Sequence, residues 1–313
     1  MKKTMVIVNP ASAGGSTGRS WTRLRRLLAE ARPRFEERFT SRPGEATALV
    51  HEALGAGYRE LIVVGGDGTL NEAVNGLFPS DPEAGIGPEP LDADAVLVPV
   101  RRGTGGDFAR HFGLAGAGRS AFAHLRSTRI TRLDLGLCEY AATEGGTRRR
   151  AFVNVGSFGL SGLVDVKVNA STKRFGSLSF ASATVSALVE FRRPIVRVEV
   201  DGERFYEGPL LLGAVCNGAY FGGGVRIAPE ADPSSGRWSV VLLTEAGPRE
   251  VVRVLDVFRG RHVRWSSARV TQGCRVEARL VEGGPCLLDL DGEQPGGLDA
   301  RFSLVPDAVS LLA

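Results

Sequence analysis

Apolar and polar positions follow two different rhythms along this 313-residue chain, one up to about Arg132 and another beyond it. In the first stretch, short β-branched runs alternate with segments whose apolar residues recur every three or four positions. The pattern predicts a strand over residues 4–8, a helix through Trp21, Leu24 and Leu28, and a short strand ending near Thr40. A helix over 44–57, a strand over 61–64, a helix carrying Leu70, Val74 and Leu77, and a strand over 95–100 continue it. Runs such as Leu61-Ile62-Val63-Val64, apolar throughout and followed by glycine, suit a parallel strand covered on both faces. Strand and helix alternating in this way predict a doubly wound α/β domain. Ligands of such sheets bind beyond the carboxyl ends of the strands. That edge would collect Asn9-Pro10, Thr40, residues 65–69 and Gly103-Thr104. Residues 78–94, rich in proline, glycine and acids, read as an exposed loop.

Beyond Arg132 the period drops to two. Strands are expected over 132–140, 151–158, 195–200, 210–217, 237–243, 275–281 and 286–290, with turns at Glu144-Gly145-Gly146 and Asp201-Gly202. Such a series predicts an antiparallel β-sandwich, interrupted by helical stretches over 179–191 and 249–258. The strand-like segment 300–305 is expected to return to the first domain. The resulting division is 1–131 for the α/β domain, 132–299 for the β-sandwich and 300–313 for the return. Length agrees, since one ordinary core rarely organises so many residues.

Composition narrows the setting. No long uncharged apolar stretch is present, so no membrane-spanning helix is expected. The apolar run after Met1 ends at Asn9-Pro10, too soon for a secretory signal, and reads as the first strand. Cys138, Cys216, Cys274 and Cys286 are scattered without C-x-x-C spacing, and His51, His111, His124 and His262 are equally dispersed. Neither a disulfide framework nor a zinc site is signalled, and a reducing cytoplasm fits. The net charge of +4 is mild, but arginines cluster at Arg19, Arg23, Arg25 and Arg26, at Arg32, Arg34 and Arg38, and at Arg148-Arg149-Arg150. At roughly 1 kcal/mol per basic residue near an anionic leaflet, such clusters would hold a protein reversibly on a membrane. A solvated arginine-rich face is the plainer reading. Interleaved aromatics and recognition-helix signatures are lacking, so nucleic acid is not an expected partner.

The most informative chemistry is Gly65-Gly66-Asp67-Gly68-Thr69, directly after the 61–64 run. Glycines can take φ above zero and leave N–H groups bare, and the amino end of the following helix adds a positive field, a combination that binds phosphate. Thr69 and Glu72 stand at T-x-x-E spacing, which predicts a capping box at the helix start. A plain tight βα turn would use the same residues, so the run by itself leaves both readings open.

Four signals stand in order along the chain. They are Asn9-Pro10 with Gly14-Gly15, then Gly65-Gly66-Asp67-Gly68-Thr69-Leu70-Asn71-Glu72, then Gly103-Thr104-Gly105-Gly106-Asp107-Phe108-Ala109-Arg110, and finally Asp291-Gly292-Glu293. With Phe221-Gly222-Gly223-Gly224-Val225-Arg226-Ile227-Ala228-Pro229 they resemble the bacterial diacylglycerol kinase family of lipid kinases, related to sphingosine and ceramide kinases and more distantly to NAD kinases. The resemblance implies transfer of the γ-phosphate of ATP, with Mg²⁺, to the hydroxyl of diacylglycerol or a similar lipid alcohol, in a cleft between the two domains. It implies Glu293 as the base, with Asp67 and Asp107 as further catalytic acids. It implies that Thr40 and Thr104 hydrogen-bond the nucleotide. Its phosphates would lie against Asn9 and the run Gly65, Gly66, Asp67, Gly68, Thr69, Leu70, Asn71 and Glu72. Asp67 and Asp134 would serve the metal, and a carboxylate set in an anion-binding loop itself argues for a cation there. Taken singly, Asp107 suits a helix cap, Asp134 a strand edge and Asp291-Gly292-Glu293 a β-turn.

The chain also departs from that pattern. Ser234-Ser235-Gly236 stands where many relatives have Asp-Asp-Gly, so a second metal at Ser235 would be weak or rebuilt around Asp232, hydroxyls being poor Mg²⁺ ligands. Gly106 replaces a common Asn, and no lysine follows Asn9-Pro10. The expected partners are a lipid substrate and the inner face of the cell membrane, with a homodimer as a compatible assembly. The alternatives are a soluble-substrate kinase of the NAD kinase type and a nucleotide- or lipid-binding regulator without turnover.

Overall fold

In the computed structural model, which describes residues 3–81, 83–103, 106–114, 118–170, 186–187, 190–245 and 254–312, the early apolar runs become parallel strands with no polar face. Strand β1 (Lys3–Val8) leads through α1 (Ser16–Arg19) and α2 (Trp21–Ala31) to β2 (Glu36–Phe39), α3 (Glu45–Gly55), β3 (Tyr58–Gly65) and α4 (Asp67–Asn75). A two-residue pair, β4 (Ser80–Asp81) and β5 (Gly85–Ile86), precedes β6 (Val96–Arg101) and α5 (Asp107–His111). The sheet order is β2-β1-β3-β6, all parallel. Its register sets Val8 level with Phe39 and Val64, and Val64 level with Val100. The carboxyl ends of all four strands therefore lie along one edge, which is what brings Asn9, Thr40, Gly65 and Arg101 to it. Trp21, Leu24 and Leu28, spaced three and four apart, bury one stripe of α2 in a core with Val6, Val8, Ile62, Val64 and Val98. Residues 78–94 are not all exposed. Phe78 and Ile86 are buried and β4 pairs with β5, because two apolar side chains are enough to fold the segment back.

The chain divides into two compact units, Met1–Leu135 with Val305–Ala313, and Gly136–Leu304. Near its end the last strand completes the sheet of the first unit, where Ser310 and Leu311 pair in parallel with Val96 and Leu97.

The second unit takes in most of β7 (Ile130–Ala142), then β8 (Thr147–Phe152), β9 (Val155–Gly159), α6 (Leu160–Ala170), β10 (Ile195–Val200), β11 (Glu203–Pro209), β12 (Leu212–Cys216) and β13 (Trp238–Leu243). There follow α7 (Val254–Phe258), β14 (Ala268–Gly273), β15 (Arg275–Glu282), β16 (Leu288–Leu290) and β17 (Gly296–Leu312). One sheet runs β11-β10-β15-β17, with β8 joined to β17 through β7; the other runs β14-β13-β12-β9-β16. Every pair in the second sheet is antiparallel, as are β10 with β11 and β15, β15 with β17, and β7 with β8. Phe152, Phe158, Val198, Trp238, Leu290 and Phe302 from both sheets form one core. The Phe302 ring centroid lies 6.1 Å from that of Phe152 and 6.2 Å from that of Phe158.

Two differences from the sequence pattern have physical causes. The single strand expected over 151–158 is two strands in different sheets, because the backbone between them turns its amides onto a carboxylate described below. Strands β11 and β14 escaped the pattern because each is the outermost strand of its sheet, where polar side chains replace an apolar alternation. Helix α6 was not expected where it occurs. The helical stretch expected over 179–191 falls mostly outside the described residues, as does the first part of that over 249–258.

Removing the Phe302 ring by Phe302→Ala should cost about 3–5 kcal/mol of stability, the usual range for a fully buried aromatic. The denaturant midpoint of the purified protein measures it, and an unchanged midpoint would show that the sandwich core does not depend on this ring.

Candidate functional site

In the first unit the glycine motif sits at the carboxyl end of β3. A Cβ on Gly65 would lie 2.6 Å from the Thr69 side chain, and one on Gly103 would lie 3.0 Å from Gly66 Cα, so the two glycine segments meet backbone to backbone. The Arg102 amide closes the approach by donating to the Gly65 carbonyl at 2.6 Å. Gly66, with extended backbone, occupies the cap position of α4, and among the described residues no side chain caps the first turn. The capping box expected between Thr69 and Glu72 does not form. A cap residue must be non-helical and Thr69 is already in the first turn, so its hydroxyl instead accepts a bond from Asn9 Nδ2 at 2.9 Å. Glu72 Oε2 accepts the Ala46 amide of α3 at 3.2 Å.

Asp67 joins the two glycine motifs. Its Oδ2 accepts the amides of Gly106 and, at 3.2 Å, of Asp107, and so caps α5 from across the loop. The Asp107 carboxylate is buried and accepts a bond from Arg110 Nη1 at 3.0 Å. Gly106 has φ of 77°, and a Cβ there would lie 2.0 Å from Arg101 Nε, so the arginine fills the space a larger residue would need. Val63, Gly66, Asp67, Leu70, Arg101 and Phe108 are among the residues lining a small pocket beside the helix start. Thr69, Leu70 and Asn71 are buried, while Gly66, Asp67 and Gly68 are half-buried. The Thr40 amide donates to the Val8 carbonyl at 2.9 Å, which holds this buried threonine on the same edge. Thr104 lies outside the described residues. Asp134, buried on β7, accepts the Asp307 amide at 3.0 Å. Sequence reasoning passed over Arg102, whose guanidinium reaches the hydroxyls of Ser16, Thr17 and Ser20 at 3.3 Å; its only signal was a place directly before Gly103.

In the second unit, β16 runs into the turn Asp291-Gly292-Glu293, closed by backbone bonds between Leu290 and Glu293. Asp291 and Gly292 both have positive φ, 53° and 90°. The Asp291 carboxylate accepts three successive amides, Val153 at 2.7 Å, Asn154 at 3.0 Å and Val155 at 2.9 Å, which is the turn that divides β8 from β9. Glu293 is exposed beyond this anchor. Beneath it, Asp289 Oδ1 accepts the Gly292 amide at 2.7 Å and Oδ2 the Ser157 hydroxyl at 3.2 Å. Burial, with the neighbouring charge of Asp289, pushes Asp165 of α6 up to about 9, and burial raises Asp289 to about 6. Neither of these two acids was found from the sequence, because Leu288, Asp289 and Leu290 are all buried and the strand carries no alternation to single one out.

Asp232 and Ser235 lie in one exposed turn. Asp232 Oδ1 accepts both the amide and the hydroxyl of Ser234, at 3.0 and 2.8 Å, and Ser235 Oγ lies 2.7 Å from the Asp232 carbonyl oxygen. Phe221 and Val225 exchange backbone bonds at 3.0 Å around Gly222-Gly223-Gly224, a tight hairpin. Among the described residues no three His, Cys, Asp or Glu side chains converge as a set that could hold a metal ion.

Asp291→Ala would leave three amides without their acceptor, at a cost on the order of 3 kcal/mol. Chemical denaturation of the variant checks this, and wild-type stability would mean that the amides find other partners.

Residues 3–138 match the diacylglycerol kinase catalytic domain, and residues 154–313 match the YegS C-terminal NAD kinase beta sandwich-like domain. A diacylglycerol kinase of Bacillus subtilis is 28% identical over 312 residues, 96% of this chain and 93% of the relative. A Pseudomonas putida protein named "Probable lipid kinase YegS-like" is 30% identical over 279 residues, 88% of this chain and 84% of the relative. The crystal structure of a diacylglycerol kinase from Bacillus anthracis aligns over 99% of this chain and 96% of its own, with a TM-score of 0.70 at 20% identity. That of an NAD kinase from Archaeoglobus fulgidus in complex with ATP covers 99% and 93%, with a TM-score of 0.52 at 13% identity. The structural likenesses carry the fold alone, an α/β amino-terminal part followed by a β-sandwich. With both halves matched in order, and a relative at 30% identity over most of its length, the chain belongs to the diacylglycerol kinase and YegS-like family of lipid kinases.

Proposed function

We propose that the protein transfers the γ-phosphate of ATP to the hydroxyl of diacylglycerol or a related long-chain lipid alcohol. The observation that carries this is the uncapped amino end of α4, set between two abutting glycine segments in a chain of kinase ancestry. Amides and the positive end of a helix favour a phosphate tail there. Phosphoryl transfer asks for positioning and charge neutralisation more than covalent help. Mg²⁺ on a nucleotide typically needs only one or two protein carboxylates, and Asp67, on the first turn of α4, is the carboxylate at the cradle that would supply one, its Oδ2 also serving two amides. A bound Mg²⁺ would neutralise phosphate charge. Glu293, exposed on a rigid turn, is the group proposed to take the acceptor's proton. A second cation at Asp232 would be held weakly, since the Ser235 hydroxyl is already engaged with backbone oxygens.

The acceptor is proposed to be met at an anionic membrane surface. Arg23, Arg25 and Arg26 are exposed on α2, and Arg34 and Arg38 lie near the edge strand β2, where Phe39 is 44% exposed. Salt bridges with Glu36 and Glu37 offset part of this charge, so reversible rather than tight attachment is expected.

Incubation of purified protein with labelled ATP and a panel of diacylglycerols, sphingoid bases, ceramides, prenols and NAD should label a lipid alcohol. Labelling of NAD alone, or of nothing, would overturn the reading. Glu293→Ala should lower the rate by about 10² to 10⁴ while ATP binding persists; a wild-type rate would remove Glu293 from the role of base. In vesicle sedimentation, Arg23→Glu with Arg26→Glu should release the protein from phosphatidylglycerol-containing vesicles, and unchanged binding would place the membrane face elsewhere.

A further inference from the structure

Asp165 and Asp289 are two acids that the proposed chemistry does not use, and both lie against the turn that carries Glu293. Asp289 is buried on β16 and is held at both oxygens, by the Gly292 amide at 2.7 Å and the Ser157 hydroxyl at 3.2 Å. The hydroxyls of Ser157 and Ser161 stand 2.8 Å apart. Asp165 follows Ser161 by one helical turn and so shares its face of α6, a helix that packs on both β9 and β16. Among the described residues nothing donates to the buried Asp165 Oδ2, although its carboxyl lies within hydrogen-bonding reach of Asp289. Two carboxylates repel in such a place, whereas a carboxylic acid and a carboxylate satisfy each other with one shared proton.

We propose that Asp165 carries a proton that it donates to Asp289, and that this acid pair fixes the turn presenting Glu293. Asp165 is then a positioning residue. Its contact passes to Asp289, from the Asp289 carboxylate to the Gly292 amide, and from there to the next residue, Glu293. Among the described residues, the other charged groups facing the pair are Asp291, beside Asp289, and Glu293 itself, both acids. Lys167, on the same helix, is engaged by Glu190 at 2.8 Å. Half-buried, with its Oδ2 enclosed and acids beside it, Asp165 therefore keeps its proton through the neutral range. The positioning role rests on the kinase reading of Glu293, whereas the acid pair stands without it.

The two parts are separated by two measurements on the full chain. Asp165 titrates near 3.8 ordinarily and near 9 here, so between those values the folded protein holds a proton that the unfolded chain has released. Its contribution to stability is complete in acid and is lost as the pH rises toward 9. The thermal midpoint of the wild type should accordingly fall as the pH is raised through this window. Asp165→Asn, which donates to Asp289 without an ionisable proton, should flatten that fall and be the more stable protein at the alkaline end. An undiminished fall in the variant would overturn the pair. In the lipid kinase assay, Asp165→Ala should lower kcat about tenfold with the KM for ATP unchanged, and Asp165→Asn should restore it and hold activity further into the alkaline range. An Asp165→Asn enzyme as slow as Asp165→Ala would overturn the positioning role. A wild type that phosphorylates no acceptor would sink the kinase reading, while the thermal comparison still decides the pair.

Discussion

Backbone amides that leave a sheet or a helix must find an acceptor, and in this chain aspartate carboxylates supply it where regular structure breaks. Asp291 takes three successive amides where the chain passes from one sheet of the sandwich to the other. Asp67 takes two at the start of α5, Asp134 takes that of Asp307, and one oxygen of Asp201 takes those of Cys274 and Arg275. A buried amide left unpaired costs about 1–3 kcal/mol, roughly twice what a typical hydrogen bond contributes net. The loops that carry the candidate chemistry are therefore held by side chains that resemble catalytic acids in composition and differ from them only in what they touch.

Residues 289 to 293 show how far that resemblance goes. Asp289 is buried against a serine and an amide, Asp291 anchors the neighbouring strands, and Glu293 alone of the three is exposed. Nothing in residue type separates these roles; they follow from what each carboxylate touches, three strand amides at Asp291, an amide and a serine at Asp289, and solvent at Glu293. Because phosphoryl transfer depends on placement more than on bond-making by the protein, a frame built from such carboxylates is part of the means by which the reaction would be run. The first unit uses the same device in a second way. Asp67 both belongs to the phosphate motif and ties it to the segment bearing Asp107, so one side chain sets the spacing of two motifs 40 positions apart.

Much of the fold was written in local pattern. Buried parallel strands such as Leu61 to Val64 have no polar face, and stripes such as Trp21, Leu24 and Leu28 have one, so period and composition reveal both. Glycine at 65 and 103 could be read as a cradle because a Cβ at 65 would strike the Thr69 side chain and one at 103 the Gly66 backbone. What escaped were features set by distant partners. Thr69 and Glu72 have the spacing of a capping box, but Asn9 and Ala46 hold them instead, from 60 and 26 positions away. The stretch from Ala151 to Phe158 has the alternation of one strand, and it is Asp291, more than a hundred residues later, that folds it into two. Sequence by itself determined which regular strands and helices of the first unit would be buried and where glycines could let backbones approach, since those follow from the chain's own period and its glycines. Which carboxylate would hold a loop, which would share a proton and which would reach solvent was decided only by the packing of segments remote in sequence, because a charge takes its role from its neighbours in space.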